Sequence, residues 1–336
     1  MTDEAATRER KTMAVPPRYR YATRLNSVRA GMPGQSVIEA IKAVGRVPGA
    51  GAIELNAPQH LDGQAPGSIR AAVEATGLPV TALNLRFEGE RFRDGAFTNP
   101  DRTTRQAAID IARAAVEGAV GLGADHVIVW LADDGFDTPG QVDYRQVWDD
   151  AVDGVAMMAR HDPSVRVSIE YKPREPRAFS VFRTMGDALL AARQTGSPNV
   201  GVTLDVCHAL MTGEYPAMAA TLALAGGKLF GVHLNDGHGR GDDGLPVGSV
   251  NPWATLDLLL TLRDEGYEGT IYFDTFPVRE DPLAEFAANI ATVERFEAVI
   301  DRLDRDALRA ARAAHDALAV ADLWQAASAE RAREIP

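Results

Sequence analysis

The sequence predicts an α/β protein: a (β/α)8 TIM barrel followed by a C-terminal helical extension. Three observations predict it. Eight short runs rich in apolar and β-branched residues alternate with alanine- and leucine-rich stretches of helical period. No glycine-rich phosphate loop follows an early run, as the rival doubly wound open sheet would normally need. Four of the later runs end in a side chain able to bind a metal: VRVSIE at Glu170, VGVTLD at Asp205, LFGVHLN at His233 and TIYFD at Asp274. Active-site residues of such barrels sit at strand C-termini.

The eight runs, in order, are YRYATRL near 18–25, AIEL near 52–55, VTALNL near 80–85, HVIVWL near 126–131, VRVSIEY near 165–171, VGVTLD near 200–205, KLFGVHLN near 228–235 and GTIYFDTF near 269–276. Short continuous runs of this kind suit strands buried on both faces. Between them, stretches such as RQAAIDIARAAVEGAVGLGA and WDDAVDGVAMMARH have helical spacing. Pro252 and Pro282 fall near the start of two such stretches, where the missing N–H is harmless, and Gly123 falls where a C-cap is expected. The division expected is a disordered tail over 1–16, a barrel over 17–300 and a helical extension over 301–336. The extension is charged and alanine-rich, with Leu308, Ala319, Leu323 and Trp324 needing a surface to cover. Such helices draw most of their stability from packing an apolar face, supplied either by the chain's own barrel or by a neighbouring subunit, and the expectation drawn is self-association.

Composition narrows the function. With 336 residues and 46% hydrophobic content the chain can bury a large core. A net charge of −12 argues against nucleic acid and against anionic membrane surfaces as partners. No apolar run approaches the ~20 residues that span a bilayer, and the polar N-terminus lacks a signal peptide's apolar segment. The single cysteine, Cys207, cannot form an internal disulfide, reads as a small buried residue, and fits a cytoplasmic setting.

The candidate site is built from types suited to a hard or borderline divalent ion, Mn, Mg or Co. Lys172 stands two residues after Glu170 and so on the same side of a strand. It is placed either to polarise a substrate oxygen or to form a structural Glu–Lys pair. Asp205 and His208 share the D-V-C-H turn, and His233 and Asp236 share HLND. Two histidines at strand ends, each beside an aspartate, point to metal binding rather than to satisfied core residues. Asp242 and Asp243 lie in the glycine-rich loop RGDDGLPVGS, available to a second ion or simply solvated; Asp274 is either a ligand or a turn cap. Trp130, Phe87 and Phe92 are candidates for an apolar wall against a sugar ring, or ordinary rim packing. His60 and His126 read as incidental, and His161 falls at the far end of the barrel.

The segments EYKPREPR, VTALNLRFEGERFRDGAFTNPDR, HVIVWLADDG, AGGKLFGVHLNDGHGRGDDGL and FDTFPVREDP together resemble the xylose isomerase family and its relatives, and RLDRDALRAARAAHDALAVADLWQAA looks like the tail of L-rhamnose isomerases. The resemblance spans roughly residues 80–325. It implies a first divalent ion on Glu170, Asp205, His233 and Asp274. A second ion would sit on Asp205, His208 and Asp242, with Asp243 as a further candidate carboxylate. Lys172 would act on the substrate carbonyl, His208 and Asp236 would assist, and Trp130, Phe92 and Asn56 would line the pocket. It also implies a homodimer or homotetramer. Two departures stand out. Asn56 occupies the place of the family's strand-two histidine, linked to ring opening, and asparagine cannot shuttle a proton near neutral pH. Gly244 falls where one second-metal aspartate is expected.

The leading expectation is a metal-dependent sugar isomerase interconverting aldose and ketose. The alternative is an epimerase or lyase on the same barrel, such as the catalytic subunit of a C-glycoside deglycosidase working with a small β-rich partner. A non-catalytic sugar-binding relative is the third reading; the full ligand set plus Lys172 counts against it.

Overall fold

Each of the eight apolar runs forms a parallel strand: β1 (Arg20–Thr23), β2 (Ile53–Ala57), β3 (Val80–Leu85), β4 (His126–Val129), β5 (Arg166–Glu170), β6 (Val200–Asp205), β7 (Leu229–His233) and β8 (Thr270–Phe273). The computed structural model describes residues 17–329 apart from 33, 35 and 66; the tail expected over 1–16 lies outside them. The strands pair side by side in chain order from β2 round to β8, and β8 pairs with β1. Between β1 and β2 the barrel closes without a ladder. The N–H groups of Gly51 and Ala52 both donate to the Tyr21 carbonyl, at 2.9 and 3.1 Å. A Cβ on Gly51 would lie 2.9 Å from the Tyr21 nitrogen, so only glycine lets the backbones approach this closely.

Alternation along the strands separates two environments. Leu55, Leu83, Leu85, Val127, Val167, Ile169, Val202, Leu204, Ile271 and Phe273 are buried in one cluster with the apolar faces of the surrounding helices. The other side chains fill the barrel, and here many are polar: Glu54, Asn84, His126, Ser168, Thr203 and His233 are all buried. His126 Nε2 lies 2.8 Å from Ser168 Oγ, which lies 2.6 Å from Thr203 Oγ1. His126 is thus part of the barrel's interior packing.

The helices begin and end where their punctuation sets them. Asp101 caps Arg102–Leu122 and Gly123 ends it with a left-handed φ of 77°. Pro252 and Pro282 occupy the first turn of Pro252–Asp264 and Pro282–Arg302. A two-residue antiparallel ladder, Gly135–Phe136 with Phe179–Ser180, joins the loops after β4 and β5, its Phe136 and Phe179 rings stacked at 5.1 Å. No helix among the described residues is long and apolar enough to cross a membrane.

The C-terminal extension forms two helices, Arg305–Ala313 and Ala317–Ala329. Leu308, Trp324 and Ala327 are buried in the same cluster as the barrel's helices. Arg312 pairs with Asp257 at 3.0 Å, Arg305 pairs with Asp264, and Arg302 Nε donates to the Ala327 carbonyl at 2.7 Å. Of the two surfaces open to it, the extension thus covers Leu308, Trp324 and Ala327 on its own barrel. Ala319 is exposed, Leu323 is half-buried and Leu318 remains 79% exposed. Trp324→Ala should lower unfolding free energy by about 3 kcal/mol, the low end for deleting a buried large aromatic, measured as a shifted denaturant midpoint at unchanged slope.

Candidate metal centre

Three strand ends and one residue beyond a fourth build the site. Glu170, Asp205 and His233 are the last residues of β5, β6 and β7, and Asp274 directly follows β8. Each offers one ligand atom, and these atoms all lie within 4.8 Å of one another. Asp205 also caps the helix Val206–Thr212, accepting from the His208 N–H at 3.0 Å, which turns His208 back toward the cluster. Asp205, His208 and Asp242 form a second group with the same closeness, sharing Asp205 with the first.

Most of both groups is buried: Asp205 has no exposed surface and Glu170, His208 and His233 almost none, while Asp242 is half-buried. His233 Nδ1 is 3.0 Å from Glu170 Oε1. His208 Nδ1 is 3.9 Å from both Glu170 Oε1 and Asp205 Oδ1, while its Nε2 is 3.2 Å from Asp242 Oδ2. Burial, with the charges of Asp242, Asp274 and Glu170, pushes the Asp205 carboxyl up to about 7 against the pull of His208. Burial alone would raise Glu170 too, but His233 and Arg86 hold it well below the usual range. Burial would lower His233, yet Glu170, Asp274 and Asp205 raise it to about 9. The cluster therefore draws positive charge, as protons or as a cation. His208 Nδ1 and Asp242 Oδ1 are buried without hydrogen-bond partners. An oxygen-rich set with one imidazole per group and orphaned donor atoms fits a divalent ion.

Lys172 Nζ is 2.9 Å from Asp242 Oδ2 and 3.3 Å from Glu175 Oε2, which keep it charged against burial. It lies 5.0 Å from the centre of the Trp130 ring. These groups face a cavity of about 280 Å³ lined by Arg24, Arg86, Trp130, Glu170, Lys172, Glu175, His208, Asp242, Asp274 and Phe276.

Several expected site residues lie elsewhere. Asp236 is fully buried, and its oxygens accept from the N–H groups of Gly237, Val250 and Asn251 and from Asn251 Nδ2, at 2.7–2.8 Å. Its carboxylate fastens the 236–251 loop and has no lone pair free for substrate. Phe92 packs on Phe87, and Phe87 on Phe97, with centroids 5.5 and 5.3 Å apart, behind the cavity wall. Asn56 does not line the cavity; its N–H donates to His60 Nδ1 at 2.9 Å, and His60 Nε2 reaches Asn26 Oδ1 at 2.7 Å. Burial holds His60 neutral, down to about 3, as a brace for this turn. His161 sits at the surface beside Glu117. Asp243 turns away to accept from the His238 N–H at 2.6 Å. Gly244 has φ 55°, and a Cβ there would lie 2.3 Å from the Phe276 ring, so no carboxylate can stand at that position. Cys207 is buried, its thiol 3.0 Å from the Asp236 carbonyl.

Four cavity residues, Arg86, Arg24, Glu175 and Phe276, are not among the sequence candidates. Arg86, directly after β3, donates to Glu170 Oε2 at 3.3 Å and lies over Trp130 at 5.2 Å. Arg24, directly after β1, lies 3.2 Å from Asp274 Oδ1 and over Phe276 at 4.8 Å. Both occupy the position just past a strand that Asp274 holds, but an arginine there carries no metal-ligand signature in sequence. Glu175, with a left-handed φ of 73°, accepts from Lys172 and from the Asp242 N–H. A strained side-chain-bearing residue of this kind leaves no mark in sequence.

A family described as the xylose isomerase-like TIM barrel matches residues 41–295. The chain is 32% identical over 232 residues to the xylose isomerase of Thermus thermophilus, covering 67% of this chain and 59% of that protein. It is 30% identical over 220 residues to the xylose isomerase of Thermus caldophilus, covering 63% and 57%. The chain thus spans less than two thirds of either relative's length. Among solved structures it superposes on a D-tagatose 3-epimerase-like protein with TM-score 0.67 at 17% identity, covering 84% of this chain and 98% of that one. The 3-keto-D-glucoside 4-epimerase of E. coli gives 0.65 at 17% identity, covering 82% and 99%. At that identity the structures speak for the fold, while the match over 41–295 decides the lineage: this chain belongs to the xylose isomerase-like TIM barrel family.

Proposed function

We propose that this chain is a divalent-metal-dependent sugar isomerase, interconverting the aldose and ketose forms of a monosaccharide. One observation carries the reading: Glu170, Asp205, His233 and Asp274 bring ligand atoms within 4.8 Å of one another beneath a cavity that Lys172 and Trp130 line. The named relatives, xylose isomerases, support the same substrate class. A bound divalent ion would chelate vicinal sugar oxygens and stabilise the developing alkoxide.

The chain's own residues do the rest. Lys172 donates to the substrate carbonyl oxygen, its charge maintained by Asp242 and Glu175. Trp130 offers an apolar face to the sugar carbons. Arg86 and Arg24 hold Glu170 and Asp274 in place. His208 is the one imidazole that lines the cavity, and its contact with Asp242 lets it receive or return a hydroxyl proton. With Asn56 and His60 behind the wall, the substrate is taken in its open-chain form.

Charge sets the ion count. Glu170, Glu175, Asp205, Asp242 and Asp274 face the permanent cations Arg24, Arg86 and Lys172. Two negative charges remain, which one divalent ion neutralises. A second ion at Asp205, His208 and Asp242 would enter without the carboxylate that Gly244 excludes, and binds weakly.

Proton transfer through an enediolate, the route of an epimerase or lyase, is the second reading. It is favoured by the same loss at position 244, since hydride shift leans on the second ion.

Exhaustive chelation should abolish turnover, and Mn, Mg or Co should restore it. Metal titration should resolve one tight and one weak step. Asp205→Asn removes a ligand from both groups and should weaken both steps by more than about 1.4 kcal/mol, tenfold; Asp242→Asn should spare the tight one. Incubating the metal-loaded protein with free aldoses in deuterated water distinguishes the chemistries by NMR. Ketose free of solvent deuterium is expected for the isomerase, deuterium at the reacting carbon means proton transfer, and no product from any sugar sinks both.

A further inference from the structure

A larger cavity, about 590 Å³, opens at the opposite end of the barrel among the loops that precede the strands. Its mouth is lined by Arg20, Gly123, Gly227 and Gly266, and it runs inward past Glu54, His126 and Tyr272 to His233. His233 therefore separates two spaces. Its Nδ1 faces Glu170 in the metal centre at 3.0 Å. Its Nε2 is buried without a hydrogen-bond partner, and the residue lines this lower cavity. A buried ring nitrogen left unpaired is costly, and a metal-ligating histidine nearly always passes its second N–H to a carboxylate, a carbonyl or water.

Glu54 is the carboxyl that lines the same cavity deep in the barrel. Thr81 Oγ1 donates to its Oε1 at 3.1 Å and Asn84 Nδ2 to its Oε2 at 3.2 Å, so the side chain is aimed and held. No direct hydrogen bond joins it to His233, and both line the one cavity. Burial raises the Glu54 carboxyl and His233 is the strongest influence opposing that rise, so the two groups feel each other. Gly231 lines the same cavity, where a Cβ would lie 2.6 Å from Thr203 Oγ1 and 3.4 Å from His126 Cε1, so a side chain there would crowd the polar interior.

We propose that Glu54 is a positioning residue for the metal centre, accepting the His233 Nε2 proton through water in the lower cavity and so fixing the imidazole with its Nδ1 lone pair toward the ion. This rests on the metal-centre reading above but extends it to a residue on β2, on the far side of His233 from the sugar. Arg166 and Asp125, paired at 2.9 Å beside the mouth, and His126, held by Ser168, also line the cavity, and the Tyr272 ring packs on His233 with centroids 4.6 Å apart.

The test compares the full-length wild type with Glu54→Gln and Glu54→Leu, using Co(II) alone as probe. Co(II) affinity should fall in the order wild type, Gln, Leu, by about 10- to 100-fold across the series, and the cobalt d–d absorption should shift as the imidazole loosens. The melting temperature of the metal-free variants reports folding separately. Equal cobalt affinity and an unchanged spectrum in well-folded variants overturn the inference while leaving the metal centre intact. A wild type that binds no cobalt overturns the metal-centre reading and this inference with it. Should the variants fail to fold, histidine 15N NMR of the cobalt-free, zinc-loaded wild type still decides. A protonated Nε2 on His233 is expected, and an Nδ1-protonated ring overturns the assignment.

Discussion

Bringing three carboxylates from three different strands into one water-free space is the constraint on which the molecule depends. Like charges at this separation repel strongly where water does not screen them, and nothing in a barrel's hydrophobic packing repays that. The structure meets it with fixed cations on two of the three, Arg86 against Glu170 and Arg24 against Asp274, and with Lys172 against the neighbouring Asp242. Asp205 has no such partner and is the carboxyl most raised toward neutrality. The uncompensated position is therefore the one residue common to both candidate groups, which is where an ion would do most to relieve the cluster.

The supporting shell is built to the same end. Asp236 commits its whole carboxylate to the loop that carries Asp242. Arg174 donates to the carbonyls of Met211, Gly239 and Arg240, tying that loop to the helix that carries His208. Sites perform only when their first layer is held by a second, and here the second layer is mostly backbone carbonyls and amides captured by side chains.

The strands were legible because each is a dense apolar run, and the gathering of Glu170, Asp205, His233 and Asp274 was legible because parallel strands all end at one face of a barrel. The Gly135–Phe136 ladder was not: two residues carry no periodicity. Asp236 misled because an aspartate beside a strand-end histidine looks the same in sequence whether its lone pairs are free or taken. Phe92 misled similarly, since a loop aromatic shows its type but not its direction. The polar barrel interior was partly visible in AIELN and VRVSIE, where Glu54 and Ser168 interrupt otherwise apolar alternation. The extension's amphipathic pattern does not say whose surface covers it; for Leu308, Trp324 and Ala327 it is the same chain, with Arg312 and Arg305 paired to Asp257 and Asp264.

The contact between Gly244 and Phe276 binds the history of two loops together. The Phe276 N–H donates to the Gly244 carbonyl at 2.8 Å, and its ring fills the volume any side chain at 244 would need. An acidic residue cannot enter position 244 by a single substitution, because it would meet both the ring and a left-handed backbone. The ring would have to shrink first, and that step alone opens the cavity wall and removes the surface under Arg24. The two positions can change only as a pair, through an intermediate worse than either end. A lineage that has taken this arrangement is held in it by packing, whatever sugar it goes on to meet.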